Sequence, residues 1–426
     1  MAVAPHHEQA TDPEILRRAG YAAFVRGVGS WFGAWGMHSA LFSWLLVVEL
    51  QSSPQLVGFG QLAVMLPTVL LILVGGSLAD RSDVRRSLML FHVAASLGPL
   101  VLAALVANGR LTYSALLIYG VWLGVMTAFI MPARDTLLSR VAGPDMLRAV
   151  TGMTIVQFIG QAGGSFLAGA ARWTGPAPML VVQGLILAAG AWLMLRMPPT
   201  SRNPGEEARG GGSPRSTWGD ILAALRTVLR DPRMRSTFLM ALGVAFCFAG
   251  PFYVIFPLIV RDSFGGSVVL LSMLMMMFPL GTVAGSYWIR VRGGLHNRGP
   301  AALRSIFVGG ALLGVIGLQL PFFWMATLTL VWGLVMSIFI NATRTLFQEA
   351  APEKERGRVL SIYQMALMGA GPLGSMTAGF CSAWIGHHST LIVYATAVTL
   401  LALLLWGPVR AAEASLATGE NRTASV

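Results

Sequence analysis

Charge is what this chain has least of. Asp, Glu, Lys and Arg make up only 11% of its 426 residues, against roughly 25% in a soluble domain. Acids number 18 against 30 bases, and lysine is nearly absent: Lys354 stands alone among arginines. Only two cysteines occur, Cys247 and Cys381, each inside an apolar stretch. They offer neither a disulfide framework nor a thiolate metal site. No Walker loop, nucleophile elbow or metal-spaced cluster is found, and the glycine-rich runs lie in apolar segments or a polar linker, where they cradle no phosphate. Neither an enzyme nor a cofactor is expected. The polar opening of the chain contains no apolar signal core, so the first apolar run is expected to stay uncleaved. No lipidation motif is present at either end.

What the chain does have is hydrophobic length. Residues of apolar type make up 55% of it, gathered in runs of the roughly 20 residues that cross hydrocarbon as a helix. The runs fall at 24–50, 56–78, 88–107, 112–131, 150–172 and 177–197. Six more lie at 235–259, 266–289, 302–321, 323–342, 359–383 and 389–409. The expected fold class is therefore an all-α membrane protein with twelve transmembrane helices. A net charge of +12 would suit nucleic acid, but its placement argues otherwise. Arg110, Arg172 and Arg261 are the bases in loops of one side, and the rest lie in or beside loops of the other. That alternation sets orientation by the positive-inside rule and predicts a multi-pass plasma-membrane protein with both termini cytoplasmic.

The expected domains are a cytoplasmic segment 1–23, a six-helix bundle 24–197, a linker 198–234, a second bundle 235–409 and a cytoplasmic tail 410–426. Pro, Gly, Ser and Arg dominate 198–217, as in a flexible linker. Trp218, Ile221, Leu222, Leu225, Val228 and Leu229 then recur at helical spacing, which predicts an interfacial amphipathic helix. A similar short helix is expected to start at an Asp12 cap with Pro13 in its first turn. The two halves repeat. A shift of 210 residues pairs Met126 with Met336, Phe129 with Phe339, Ile130 with Ile340, Arg134 with Arg344 and Arg148 with Arg358. The same register pairs Gly164 with Gly374, Ser165 with Ser375, Ala168 with Ala378 and Gly169 with Gly379. Duplicated bundles with a site at their interface are a transporter plan.

Residues 76–86, GSLADRSDVRR, place an acid and a cluster of arginines between two apolar runs. Charges so close to hydrocarbon require partners. The pattern Gly76, Asp80, Arg81, Arg85, Arg86 resembles the signature between the second and third helices of the major facilitator superfamily. Asp83 and Val84 depart from the broad pattern and resemble its enterobactin-exporter or transmembrane secretion effector branch. Ser53-Pro54, Val57-Gly58, Leu66-Pro67 and Pro132-Ala133-Arg134 carry the same resemblance. It implies two pseudo-symmetric six-helix bundles and a conformational latch in which Asp80 meets the eleventh helix near Arg358. Asp135 is expected to meet Arg85 or Arg86. The position that matches Asp80 in the second half is Arg290, so the latch is one-sided.

Polar residues within membrane spans mark candidate paths. They are His38, His92, Gln157, Gln161, Tyr253, Asn341 and Gln364, with Glu49 closing the first span and Asp262 the seventh. Gln157 and Gln161 share a helix face. His38 or Glu49 is the expected proton-binding group, imidazole titrating in the useful range. Met273, Met275, Met276 and Met277 offer an adaptable wall. The resemblance implies a secondary active transporter with alternating access. Export of a small drug-like or siderophore-like molecule by proton antiport is expected of a monomer. The alternatives are an importer or lysolipid flippase on the same fold, and a non-transporting sensor.

Overall fold

A computed structural model describes residues 13–141, 146–197, 218–295, 297–350 and 356–423. Secondary structure among them is entirely helical, as hydrocarbon requires, because lipid offers a strand edge no hydrogen-bond partners. The first half contains α1 (Pro13–Trp44), α2 (Pro54–Arg81), α3 (Val84–Ala107), α4 (Tyr113–Val141), α5 (Met146–Ala168), a short α6 (Ala171–Thr174) and α7 (Pro176–Leu195). Helix α8 (Trp218–Arg230) precedes the second half. That half contains α9 (Pro232–Gly250), α10 (Phe256–Ser263), α11 (Val268–Val291), α12 (Arg298–Ile316), α13 (Phe322–Ala350), α14 (Arg356–Gly369), α15 (Gly371–Ile385) and α16 (His387–Thr423).

Ten helices among the described residues are long and apolar enough to cross a membrane, against the twelve spans expected. The fifth and eleventh expected runs coincide with α5 and with the α14–α15 pair. The eleventh run is divided at Ala370, immediately before Gly371-Pro372, because proline's ring and missing N–H interrupt the preceding helical turns. The helix expected from Asp12 is not separate: α1 runs without a break from Pro13 into the first span, and Asp12 lies outside the described residues. So does linker 198–217.

The repeat reappears in three dimensions. Gly175 and Gly386 both adopt positive φ, 81° and 83°, at the start of α7 and just before α16, a conformation glycine reaches without a Cβ clash. Helix α1 ends in a π turn at Leu45–Glu49, and α9 passes through another at Pro251–Ile255. Within each half, helices cross at backbone contact through matched glycines. A Cβ on Gly164 would sit 1.9 Å from the Gly33 carbonyl of α1, and one on its partner Gly374 would sit 2.1 Å from the Phe246 carbonyl of α9. Gly75 meets the Ala128 carbonyl and Gly285 the Leu334 carbonyl in the same corresponding way. Close approach through small residues replaces the hydrophobic driving force that lipid removes. Between halves, α2 packs on α15 and α5 on α11.

Apolar side chains face outward around the bundle, among them Leu70, Ile118, Phe166 and Leu404. Trp–Arg pairs one turn apart mark one rim: Arg196 lies 3.6 Å over Trp192, Arg292 4.6 Å over Trp288 and Arg410 5.1 Å over Trp406. All three stand where an even-numbered span exits on the side of the 80–86 loop. Amphipathic rings and snorkelling cations favour that depth. Helix α8 does more than lie at an interface: Val228 is fully buried in a cluster with Met234, Phe347, Ile362 and Tyr363.

Gly374→Val should force α9 and α15 apart and cost about 1–3 kcal/mol, read as a fall of the thermal midpoint in detergent. Gly163→Ala, where a Cβ meets nothing within 4 Å, should leave the midpoint unchanged.

Candidate functional site

The two halves enclose a cavity of about 360 Å³, within the size range of small-molecule pockets. Its lining is built from helices of both halves. Helix α1 contributes Trp35, Gly36 and Ser39, and α5 contributes Gln157, Phe158, Gln161 and Ser165. From the second half come Phe248, Ala249, Phe252 and Tyr253, with Met275, Phe278 and Trp332. The π turn at Pro251–Ile255 carries Phe252 and Tyr253 of this wall. Phe248, Ala249, Phe252 and Tyr253, at i, i+1, i+4 and i+5, share one helix face and all reach the same space. Trp332 stands edge-on to Phe248 and Phe278, with centroids 5.0 and 5.1 Å away, a geometry that suits ring quadrupoles. None of these lining residues is charged. The arrangement offers an aromatic surface with a few amide and hydroxyl groups, suited to a ligand that is largely apolar and carries a few polar atoms.

Of the residues singled out from sequence, Gln157, Gln161 and Tyr253 share this cavity. Tyr253 is hydrogen-bonded to Trp35 across the halves. Arg134 reaches the cavity's edge: it donates to Gln157 Oε1 over 3.5 Å and lies 5.4 Å from the centre of the Phe32 ring. His38 is elsewhere. It is buried inside the first half between Trp35 and Phe42, its Nδ1 3.3 Å from the Tyr119 hydroxyl. Gln183 donates to that hydroxyl and to the Ala34 carbonyl. His92 is likewise enclosed, its Nδ1 bonded to the Leu88 carbonyl of its own helix. Glu49 is exposed. Asn341 binds Ser337 and Ser286 within the second half, and neither it nor Gln364 is among the lining residues. Of the methionines, Met275 joins the wall, whereas Met273 is exposed.

The loop residues are only partly described. The side chains of Asp80, Arg81 and Arg358 lie outside the described ones, so the expected Asp80–Arg358 pair has no geometry here. Gly76 lies 4.0 Å from the Pro132 side chain, measured from an added Cβ. Asp83, the departure from the family pattern, caps α3 by accepting from the Arg86 backbone N–H. Arg85 donates to the Met194 and Leu195 carbonyls, neutralising the exposed end of α7. The expected pairing of Asp135 with Arg85 or Arg86 is corrected: Asp135 binds its neighbour Arg134, 2.7 Å away. Arg85 is already committed to α7.

Sequence reasoning missed a cluster at the opposite end. Asp262 Oδ1 accepts from Arg261 Nε at 2.5 Å, and its Oδ2 lies 2.6 Å from His387 Nε2. The same arginine reaches the first half, donating to the Ser52 carbonyl at 2.9 Å. Trp44 reciprocates by donating to the Gly266 carbonyl at 2.9 Å. His387 is 125 residues from Asp262, a separation at which no local pattern signals a contact.

Two pseudo-symmetric helical halves around an internal cavity with an uncharged lining have the plan of a membrane transporter. The chain belongs to the Major Facilitator Superfamily, whose family model matches residues 27–365 and 302–425. It is 27% identical over 169 residues to macrolide efflux protein A of Streptococcus pyogenes, a match covering 39% of this chain and 42% of that protein. To the protein of the same name from Enterococcus faecalis it is 30% identical over 139 residues, covering 32% of this chain and 43% of that one. The chain thus matches less than half the length of these curated relatives. In fold it resembles the D-xylose-proton symporter, with a TM-score of 0.70, 15% identity and coverage of 91% and 97% of the two chains. The nucleoside transporter NupG gives 0.68, 14%, 92% and 98%. The protein is a multi-pass membrane protein of this transporter superfamily and has efflux proteins among its relatives.

Replacing Gln161 by Leu should weaken apparent affinity for a transported compound roughly 2- to 10-fold, the value of one hydrogen bond. Expression and thermal midpoint should match wild type. A concentration series of transport rates in proteoliposomes checks both halves of the expectation.

Proposed function

We propose that the protein exports a small amphipathic organic molecule from a bacterial cell by alternating access, driven by proton antiport. The single observation that carries this reading is the one-ended closure of an aromatic cavity. Three polar contacts join the halves toward the end opposite the 80–86 loop, Arg261 to Ser52, Trp44 to Gly266 and Gln61 to the Tyr253 carbonyl, beyond the Trp35–Tyr253 and Met65–Ser375 contacts deeper in the bundle. Phe59 against Phe380 and Gly379 against Pro54 close the same seam. With the arginine-rich loops cytoplasmic, this is a state shut to the outside and ready to load from within.

The chemistry of the wall favours the substrate class. Seven aromatic side chains and four further amide or hydroxyl residues among its lining suit a drug-like or siderophore-like molecule, and a sugar phosphate would find no cation in the lining itself, with Arg134 only at its edge. The efflux relatives favour the outward direction. The latch assigned to Asp80 with Arg81 and Arg358 would close the loop side in the opposite state. The two bundles, 24–197 and 235–409, rock as units, and the protein acts as a monomer in the plasma membrane with both termini cytoplasmic. Transported protons bind the first helix at Glu49 or His38.

The test is efflux of a compound panel from proteoliposomes with an imposed pH gradient. Gradient-dependent movement against a concentration difference is expected, and inward accumulation of the same compounds would contradict export. Asp80→Asn should retain membrane insertion and lose most transport at equal expression. Either His38→Ala or Glu49→Gln should alter the pH dependence of the rate. Unchanged profiles in both variants would remove the first helix from coupling.

A further inference from the structure

We infer that His387 is a proton-binding site that controls the clamp between the halves at the end opposite the 80–86 loop. The inference rests on the orientation proposed above, which makes that end the outer one. It differs from the transported proton assigned to the first helix.

The cluster is a chain of four contacts. Ser382 Oγ lies 2.5 Å from His387 Nδ1, and His387 Nε2 lies 2.6 Å from Asp262 Oδ2. The two Asp262 oxygens take Arg261 in a fork, Nε at 2.5 Å and NH2 at 3.1 Å. The remaining arm of the guanidinium, NH1, donates to the Ser52 carbonyl of the first half. Each link orients the next: His387 fixes the carboxylate, the carboxylate fixes the arginine plane, and the arginine grips the opposite half.

Donor rules place the proton. An ionised carboxylate only accepts, so Nε2 carries hydrogen toward Asp262 in either state of the imidazole. The titrating nitrogen is therefore Nδ1. When it is bare it accepts from the Ser382 hydroxyl; when protonated it donates, and the hydroxyl turns to become acceptor. The site thus satisfies both forms. Protonation converts the His387–Asp262 contact into a charge-assisted bond between ions, roughly twice as strong as its neutral form. A firmer Asp262 holds Arg261 over Ser52 more tightly, and loss of the proton loosens the clamp. Acid outside consequently favours closure.

The surroundings leave His387 as the group that responds. His388 is adjacent, turned toward the Gly317 backbone. From α10 the facing charges are Asp262 and Arg261 themselves. The π turn of α1 packs on α10 and carries Glu49, which is exposed. Helix α15 contributes the Ser382 hydroxyl. His387 and Arg261 retain 16% and 17% of their side-chain exposure, so solvent protons reach the site while the clamp is closed.

The test reads the clamp directly and does not require transport. With Cys247 and Cys381 replaced by alanine, Ser52→Cys places a thiol at the buried seam. Its labelling rate by a membrane-impermeant maleimide is taken relative to that of Asn108→Cys, an exposed position at the same end, which removes the thiol's own pH response. Between about pH 5.5 and pH 8 the relative rate should rise several-fold with pH. Adding His387→Gln, which keeps a neutral donor to Asp262, should abolish the rise and leave the rate fast. His387→Lys, permanently charged, should leave it slow at both values. A pH response undiminished in His387→Gln, or none in the parent, would overturn the inference. Efflux failing in every compound tested would instead count against the proposed function alone.

Discussion

Backbone-to-backbone contact between helices is the constraint on which the rest of this structure depends. In lipid the apolar side chains gain nothing by leaving their surroundings for one another, so cohesion comes from close fit. The fit here is made by glycines that bring one helix axis against the carbonyls of the next: Gly33 and Gly164, Phe246 and Gly374, Ala128 and Gly75, Leu334 and Gly285. Because the same crossings occur in both halves, the halves are matched rigid units. The seam between them combines one such approach, where Gly58 and Gly379 bring α2 against α15, with a few hydrogen bonds and ring contacts at one end.

This division explains why the cavity lies where it does. The lining residues come from the same helices that carry the tight crossings, so their positions are held by backbone geometry. Gln161 lies on the α5 segment whose carbonyl meets Gly36 of α1. Tyr253 and Phe252 are presented by a π turn beginning at Pro251. The binding surface is thereby rigid within each half and adjustable between them, the property an alternating-access cycle needs. The His387–Asp262–Arg261 chain adds a titratable control to the adjustable part only.

Much of the fold was legible because hydrocarbon imposes simple rules. Run length located the spanning helices, ten of which are long and apolar enough to cross a membrane among the described residues, and identities such as Arg134 with Arg344 pointed to the duplication. The eleventh span was legible in extent but not in its break at Ala370, since Gly371-Pro372 reads equally as a kink or a gap. The cavity was half legible. Gln157, Gln161 and Tyr253 stood out as polar residues in apolar runs, whereas Trp35, Phe252, Phe278 and Trp332 look like any membrane aromatic until the halves are assembled. His38 lies away from the cavity for the converse reason: an intramembrane polar residue is as well satisfied by Tyr119 inside one half as by a ligand between two. Pairings across long separations, Arg85 with the end of α7 and His387 with Asp262, leave no trace in local sequence.

The central claim is that two rigid halves rock about the cavity, opening one end as the other closes. The most direct measurement is a pair of spin-label distances in a cysteine-free background. One pair, Asn108 with Leu318, spans the halves at the clamped end, and the other, Leu195 with Val291, spans them at the loop end. On adding a transported compound the first distance should lengthen while the second shortens. Two distances that stay fixed, or that change in the same direction, would contradict the account.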